Sequence, residues 1–192
     1  ETVAAMLLEP ICNTGGIVTP TEEYFQILRD IADRYNVLLI FDEVLTGIGR
    51  TGDMFAAQTF GVTPDIICSG KGLASGAIPI GAMMAREDLA DAFYGPVEAD
   101  VQFSHGHTFA GNPLSCAAAI AVIDEIVEKE LDKKARLLGD HLTARLEDLK
   151  RYGIVREVRG KGVLRGVELV QDATTLEPFP EGRKLGDVLK KT

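Results

Sequence analysis

Basic residues are in the minority in this chain: 20 Lys and Arg stand against 29 Asp and Glu, a formal net charge of -9. A balance of that sign argues against nucleic acid or an anionic membrane surface as the main partner. Cysteine is scarce as well. Cys12, Cys68 and Cys116 are odd in number, widely spaced and set in apolar runs. They read as reduced core residues rather than a disulfide framework, which favours a reducing, cytoplasmic setting. Long hydrophobic runs are missing: the longest candidate, Leu114 to Val127, contains Asp124 and Glu125 and falls short of a membrane span. No charged segment followed by an apolar one opens the chain. Aromatics are few, and the hydrophobic fraction of 46% fits an ordinary α/β protein. The first residue is Glu1 rather than methionine, and Val3 to Leu8 already reads as a buried strand. The chain therefore reads as beginning inside a domain, as a fragment of something longer.

What is present has α/β texture. Thr19-Pro20-Thr21-Glu22 has the form of a capping box with proline at the first helical position. Phe25, Leu28, Ile31, Ala32 and Tyr35 then recur at helical spacing. Val37 to Phe41 is apolar at every position, as in a strand covered by helices on both faces, and is expected to run parallel to strand 3–8. Ile66-Ile67-Cys68 repeats that texture after Pro64, and Ile78 to Ala85 forms a further strand. Asn112-Pro113 caps a helix that is apolar nearly all round and should be buried, in part by another subunit. A second helix, Asp132 to Lys150, is amphipathic through Leu138, Leu142, Leu146 and Leu149, with Gly153 placed to end it. Short strands follow at 154–158 and 163–169, and a last helix is expected at 183–191. The expected architecture is a mostly parallel sheet covered by helices, then the start of a smaller α+β domain. Residues 1–130 fall in the first unit and 131–192 in a linking helix and an incomplete second one.

Ligands of such sheets sit beyond the carboxyl ends of the strands. There the chain places Asp42-Glu43 and Gly70-Lys71-Gly72. A lysine freed from bulky neighbours forms a Schiff base, and a carboxylate from a nearby strand holds the pyridinium proton of the same cofactor, so the pair suggests pyridoxal phosphate chemistry. A buried amine at this place would be neutral enough to attack a carbonyl and later move protons. Glu43 equally suits a carboxylate capping a local turn.

Other motifs fall away on context. The Leu38 to Glu43 run would suit the magnesium-holding strand of a P-loop ATPase, but no GxxxxGK[ST] loop accompanies it. Gly47 to Gly52 matches GxGxxG, yet residues 42–46 separate it from the strand and no long helix follows. A turn passing close to a ligand or neighbour is the better reading. His105 and His107 lack a third ligand, so no metal site is expected. His141 reads as a surface or boundary residue.

The string Phe41-Asp42-Glu43-Val44, Thr46-Gly47, Gly49-Arg50-Thr51-Gly52, Pro64-Asp65-Ile66, Gly70-Lys71-Gly72, Pro79-Ile80-Gly81-Ala82 resembles the class III aminotransferases, pyridoxal phosphate enzymes of fold type I. His105-Gly106 and Thr108 to Leu114 continue the resemblance, which spans Glu9 to about Leu169. It implies that Lys71 carries the cofactor, pyridoxal 5′-phosphate, as a Schiff base, that Asp42 pairs with the pyridine nitrogen and that Val44 packs on the ring. It further implies that Thr108 reaches the cofactor phosphate of a partner subunit in a homodimer with shared active sites, and that Glu9 stands near the cofactor and substrate. Leu45 departs from the glutamine many relatives carry there. The upstream phosphate-binding loop, the stacking aromatic and the end of the small domain have no counterpart in the chain.

The expected activity is transfer of an amino group from an amine or amino acid to a keto acid by a ping-pong mechanism. The segment Val167 to Pro180 resembles the ω-aminotransferase branch. A decarboxylase, racemase or aminomutase on the same scaffold is the alternative within the family, and a truncated non-catalytic fragment the alternative outside it.

Overall fold

The computed structural model describes residues 2–180, 182, 183, 185 and 186. Short apolar runs bounded by turn formers build a four-stranded sheet from β1 (Ala5–Leu8), β2 (Leu38–Asp42), β3 (Ile66–Ser69) and β4 (Ala82–Ala85), in that order. β1, β2 and β3 are parallel, with Ala5 opposite Leu38 and Ile40 opposite Ile66. The parallel return of residues 37–41 on the first strand is as expected. β4 departs from the parallel pattern: it is antiparallel to β3 and half the length read from Ile78 to Ala85. Pro79 lacks the N–H a ladder needs, so pairing starts beyond it.

α1 (Glu22–Tyr35) follows β1 and is capped by Thr21, whose hydroxyl accepts from Tyr24 N. Pro20 therefore precedes the cap instead of occupying the first helical position. α1 lays Phe25 and Ala32 on the sheet, where Phe25 packs edge-on to Phe41 and close to Phe60. Only this face is closed. Leu39 and Phe41 are fully buried while Leu38 and Ile40 on the alternate face are half-buried, so the expectation of cover on both faces is not met among the described residues.

α2 (Ala56–Thr59) and α3 (Glu87–Asp91) are short, whereas α4 (Pro113–Glu128) and α5 (Leu131–Glu147) are the long helices of the second half. Asn112 caps α4 by accepting from Leu114 N and Ser115 N. Of its nearly all-apolar surface the chain buries Ala119 and Ile126 but leaves Leu114 69% and Ile120 58% exposed. Cys116 is also exposed, which corrects its reading as a core residue; Cys12 and Cys68 are half-buried. On α5 the inward face is Ala135, Gly139, Leu142 and Leu146, so Leu138, read as part of the apolar stripe, faces out. The helix continues as a 3-10 turn over Asp148–Tyr152, closed by Gly153 at φ 69°.

β5 (Val155–Lys161) and β6 (Leu164–Leu169) form an antiparallel ribbon. Its tip docks on the rest of the chain through glycines. A Cβ on Gly139 of α5 would lie 2.0 Å from Gly162 O, and one on Gly162 would lie 2.3 Å from Arg50 O. Val163 N donates to Arg50 O at 3.0 Å, and Arg136 of α5 reaches Gly52 O and Asp53. The helix expected at 183–191 lies largely outside the described residues.

Candidate active site

Three parallel strands end side by side, and each delivers one polar group there. Glu9 follows β1, Asp42 closes β2, and Gly70-Lys71-Gly72 follows β3. Asp42, half-buried, lies opposite Cys68 in the register, and its Oδ1 accepts Val44 N at 3.0 Å. The Cys68 thiol is pushed up in pKa by burial and secondarily by the charge of Asp42.

Lys71 opens a 3-10 turn, Lys71–Ala74, with φ at 42°, the left-handed region that ordinary side chains adopt at a cost. Its side chain is exposed, so the buried amine expected at this position is not what the chain alone provides. Gly70 faces Val44: a Cβ there would stand 3.4 Å from Val44 Cγ1. Val44 thus forms a wall beside Gly70, and Gly72 makes room for the side chains of Ile48 and Arg50.

Glu9 is half-buried and accepts Asn13 N in a long 3.4 Å contact. Thr108 is not part of this cluster. It stands on the exposed turn before α4, where its neighbours His107 and Phe109 line a cleft of about 840 Å³ together with Pro79 to Ala82. The rings of His105 and His107 pack edge to face at 4.7 Å. Among the described residues no group of three or more His, Cys, Asp or Glu is placed to hold a metal ion. No helix of the described residues is long and apolar enough to cross a membrane.

Two acidic residues carry the surrounding structure. Glu43 is fully buried, its carboxylate accepting Ala56 N at 2.6 Å, Ala57 N at 2.8 Å and the Thr46 hydroxyl at 3.0 Å. Burial pushes its pKa up, against the opposing pull of those hydrogen bonds. It therefore caps α2 and closes the loop after Asp42. Asp65, at the opposite end of β3, binds Leu39 N at 2.7 Å and pairs with Arg29 and Arg86. Its role escaped the motif reading because both arginines lie more than 20 residues away in sequence. Glu43 had a signal: it continues the inward alternation of Leu39 and Phe41.

The GxGxxG turn is not a dinucleotide loop. It folds back on itself through Ile48 N and Gly49 N, both donating to Met54 O, and the helix after it has 4 residues. A carboxylate and a primary amine on adjacent strand ends, with the apolar Val44 beside them, fit a planar heterocycle bearing a carbonyl group and a protonated ring nitrogen. Fold and donor set together define an α/β protein built for a carbonyl cofactor.

The chain belongs to the class III aminotransferase family, whose model, Aminotransferase class-III, matches residues 1–192. The family is pyridoxal phosphate-dependent and of fold type I. The chain is 45% identical over 174 residues to the acetylornithine aminotransferase of Clostridium acetobutylicum, covering 88% of this chain and 42% of that protein. It is 42% identical over 185 residues to the leucine/methionine racemase of Thermococcus litoralis, covering 95% and 40% respectively. The crystal structure of an amine transaminase from an uncultivated Pseudomonas species, in its PLP-bound (internal aldimine) form, superposes with a TM-score of 0.87 at 39% identity, covering 95% of this chain and 41% of that one. The chain thus spans about two fifths of the length of the proteins it matches.

Proposed function

We propose that this chain carries the catalytic lysine and the ring-nitrogen carboxylate of a pyridoxal phosphate-dependent aminotransferase, acting on an amine or amino acid donor and a keto acid acceptor. The observation that carries the reading is the placement of Asp42 and Lys71 at the ends of two adjacent parallel strands, with Val44 set against Gly70 between them. When bound, the cofactor supplies a carbonyl that condenses with amines and a ring that takes up the electrons of a broken Cα bond. Asp42 keeps the ring nitrogen protonated by presenting its carboxylate there. Lys71 Nζ would be the amine that holds the cofactor and, once displaced by the donor amine, the free base placed to take and return the Cα proton. With the acceptor Lys71 runs the same transfers backwards, which yields ping-pong kinetics.

In the same reading Glu9 lines the substrate side, and Thr108 reaches the cofactor phosphate of a partner subunit in a homodimer. Residues 1–130 belong to the cofactor-binding large domain and 131–192 to the linking helix and the start of the small one. The setting is cytoplasmic. Donors of the ω type, with the amine distant from a carboxylate, are favoured by the segment Val167 to Pro180. Likeness to a leucine/methionine racemase supports a second reading, in which Lys71 returns the proton to Cα and no amino group leaves.

The test uses the complete protein that carries this chain. With cofactor it should show an absorbance band at the edge of the visible that Lys71→Ala abolishes, and it should aminate pyruvate or 2-oxoglutarate. A band retained in Lys71→Ala overturns the site. Loss of optical purity of an amino acid without any acceptor selects the racemase reading.

A further inference from the structure

Arg50 touches three separate parts of the chain, and the catalytic reading leaves it without a task. Its guanidinium Nη1 donates to Leu45 O at 2.8 Å, holding the loop that follows Asp42 and Val44. The same group lies over Gly72: a Cβ on that glycine would stand 3.3 and 3.4 Å from the two terminal nitrogens. Its main-chain carbonyl accepts Val163 N at 3.0 Å, at the tip of the β5–β6 ribbon. The neighbouring Ile48, whose Cβ would be 3.2 Å from that same added atom, sits at φ 59°. For a β-branched residue this is an outlier that persists only where the surroundings enforce it.

Lys71 is also held at positive φ, and the bonds that close the turn it opens include Leu73 N to Gly70 O and Ser75 N to Gly72 O. Arg50 and Ile48 supply the wall on which that turn rests. We infer that Arg50 is a positioning residue for Lys71, and that through its carbonyl the β5–β6 ribbon is mechanically coupled to the lysine turn. The inference rests on the reading of Lys71 given above, but the coupling is measured without cofactor.

Because Gly162 packs against the Arg50 carbonyl, Gly162→Ala displaces Arg50 from the ribbon side, while Arg50→Met removes the guanidinium and keeps the stem. Hydrogen exchange on the cofactor-free complete protein reads both. Each substitution should speed exchange at Leu73 and Ser75 by about tenfold, with exchange at Leu39 unchanged. Each should also slow the growth of the Lys71-dependent band on adding pyridoxal phosphate, although Gly162 lies outside the strand-end cluster. In the unaltered protein the amides of Leu73, Ser75 and Val163 should open together, at lower denaturant than Leu39, which keeps the inference testable if a variant does not fold. Exchange at Leu73 and Ser75 that ignores either substitution, or a Val163 amide that opens independently of them, overturns the coupling. A band that survives Lys71→Ala removes the catalytic reading instead, and leaves the exchange result standing.

Discussion

Two neighbouring carboxylates, Asp42 and Glu43, show how the strand alternation assigns opposite tasks to like chemistry. Asp42 points to the half-open strand end, and Glu43 turns inward with Leu39 and Phe41 and is fully buried. Inside, it is the acceptor for two otherwise orphaned N–H groups of α2. Replacing it by alanine leaves both donors without a partner, at a cost of about 1–3 kcal/mol, measurable by urea unfolding. Its ionisation has a predictable sign. Burial raises the folded-state pKa, so between the unfolded and folded values the native state binds more protons than the unfolded chain. The stability from Glu43 is full below the unfolded value and falls as pH rises through the folded one. Relative to Glu43→Gln, which cannot titrate, the protein should therefore lose stability as pH is raised from about 4 towards neutrality. A stability difference that is flat, or that grows with pH, contradicts the assignment. Lys71 shows the limit of reading single residues. Its identity and its flanking glycines were legible from the chain, but its exposure depends on what covers the strand ends, which no local pattern encodes.

At the level of elements, the parallel core was legible because β2 and β3 announce themselves as apolar runs at a fixed distance from helix and turn signals. β4 was not, since its direction and length depend on where Pro79 lets pairing with β3 begin. Of the apolar stripe expected on α5, Leu142 and Leu146 do face inward and Leu138 does not, because at that level the decisive contact is made by a residue without a side chain. Gly139 meets the Gly162 carbonyl, and the helix approaches the ribbon only because nothing intervenes. Helix propensity alone would have Gly139→Ala stabilise α5 by about 1 kcal/mol. The contact decides otherwise: the added Cβ would lie 2.0 Å from backbone that has no freedom to retreat, pinned as it is on Arg50. Overpacking of this kind costs about 1–3 kcal/mol or more, so the substitution should lower the melting temperature. An unchanged or raised value would mean that the ribbon tip does not bear on α5.

On the scale of the whole molecule several large apolar side chains stand open among the described residues. Leu7 is 66% exposed, Met83 56%, Phe109 82% and Leu114 69%, and they lie on β1, β4, the turn before α4, and α4 itself. Exposed apolar residues of this size, where they adjoin one another, mark surfaces that something covers. Segments of the kind that the relatives carry outside the matched 42% and 40% of their lengths are one cover. The exposed apolar residues of α4 are best explained by another: Ile120 and Val127, seven residues apart, share one face of the helix with Ala117, a face suited to a second copy of the chain in the homodimer proposed above. Burying such a face stabilises association by roughly 25 cal/mol per Å² of apolar area, whereas a charge placed in it must be desolvated without a partner. If the complete protein is the homodimer proposed above, Ile120→Glu combined with Val127→Glu should therefore shift sedimentation from dimer to monomer. If Thr108 serves the partner's cofactor, the same pair should weaken pyridoxal phosphate binding without altering Lys71 or Asp42. Sedimentation as a dimer after both substitutions would place the subunit contact elsewhere and assign the cover of α4 to the rest of the polypeptide.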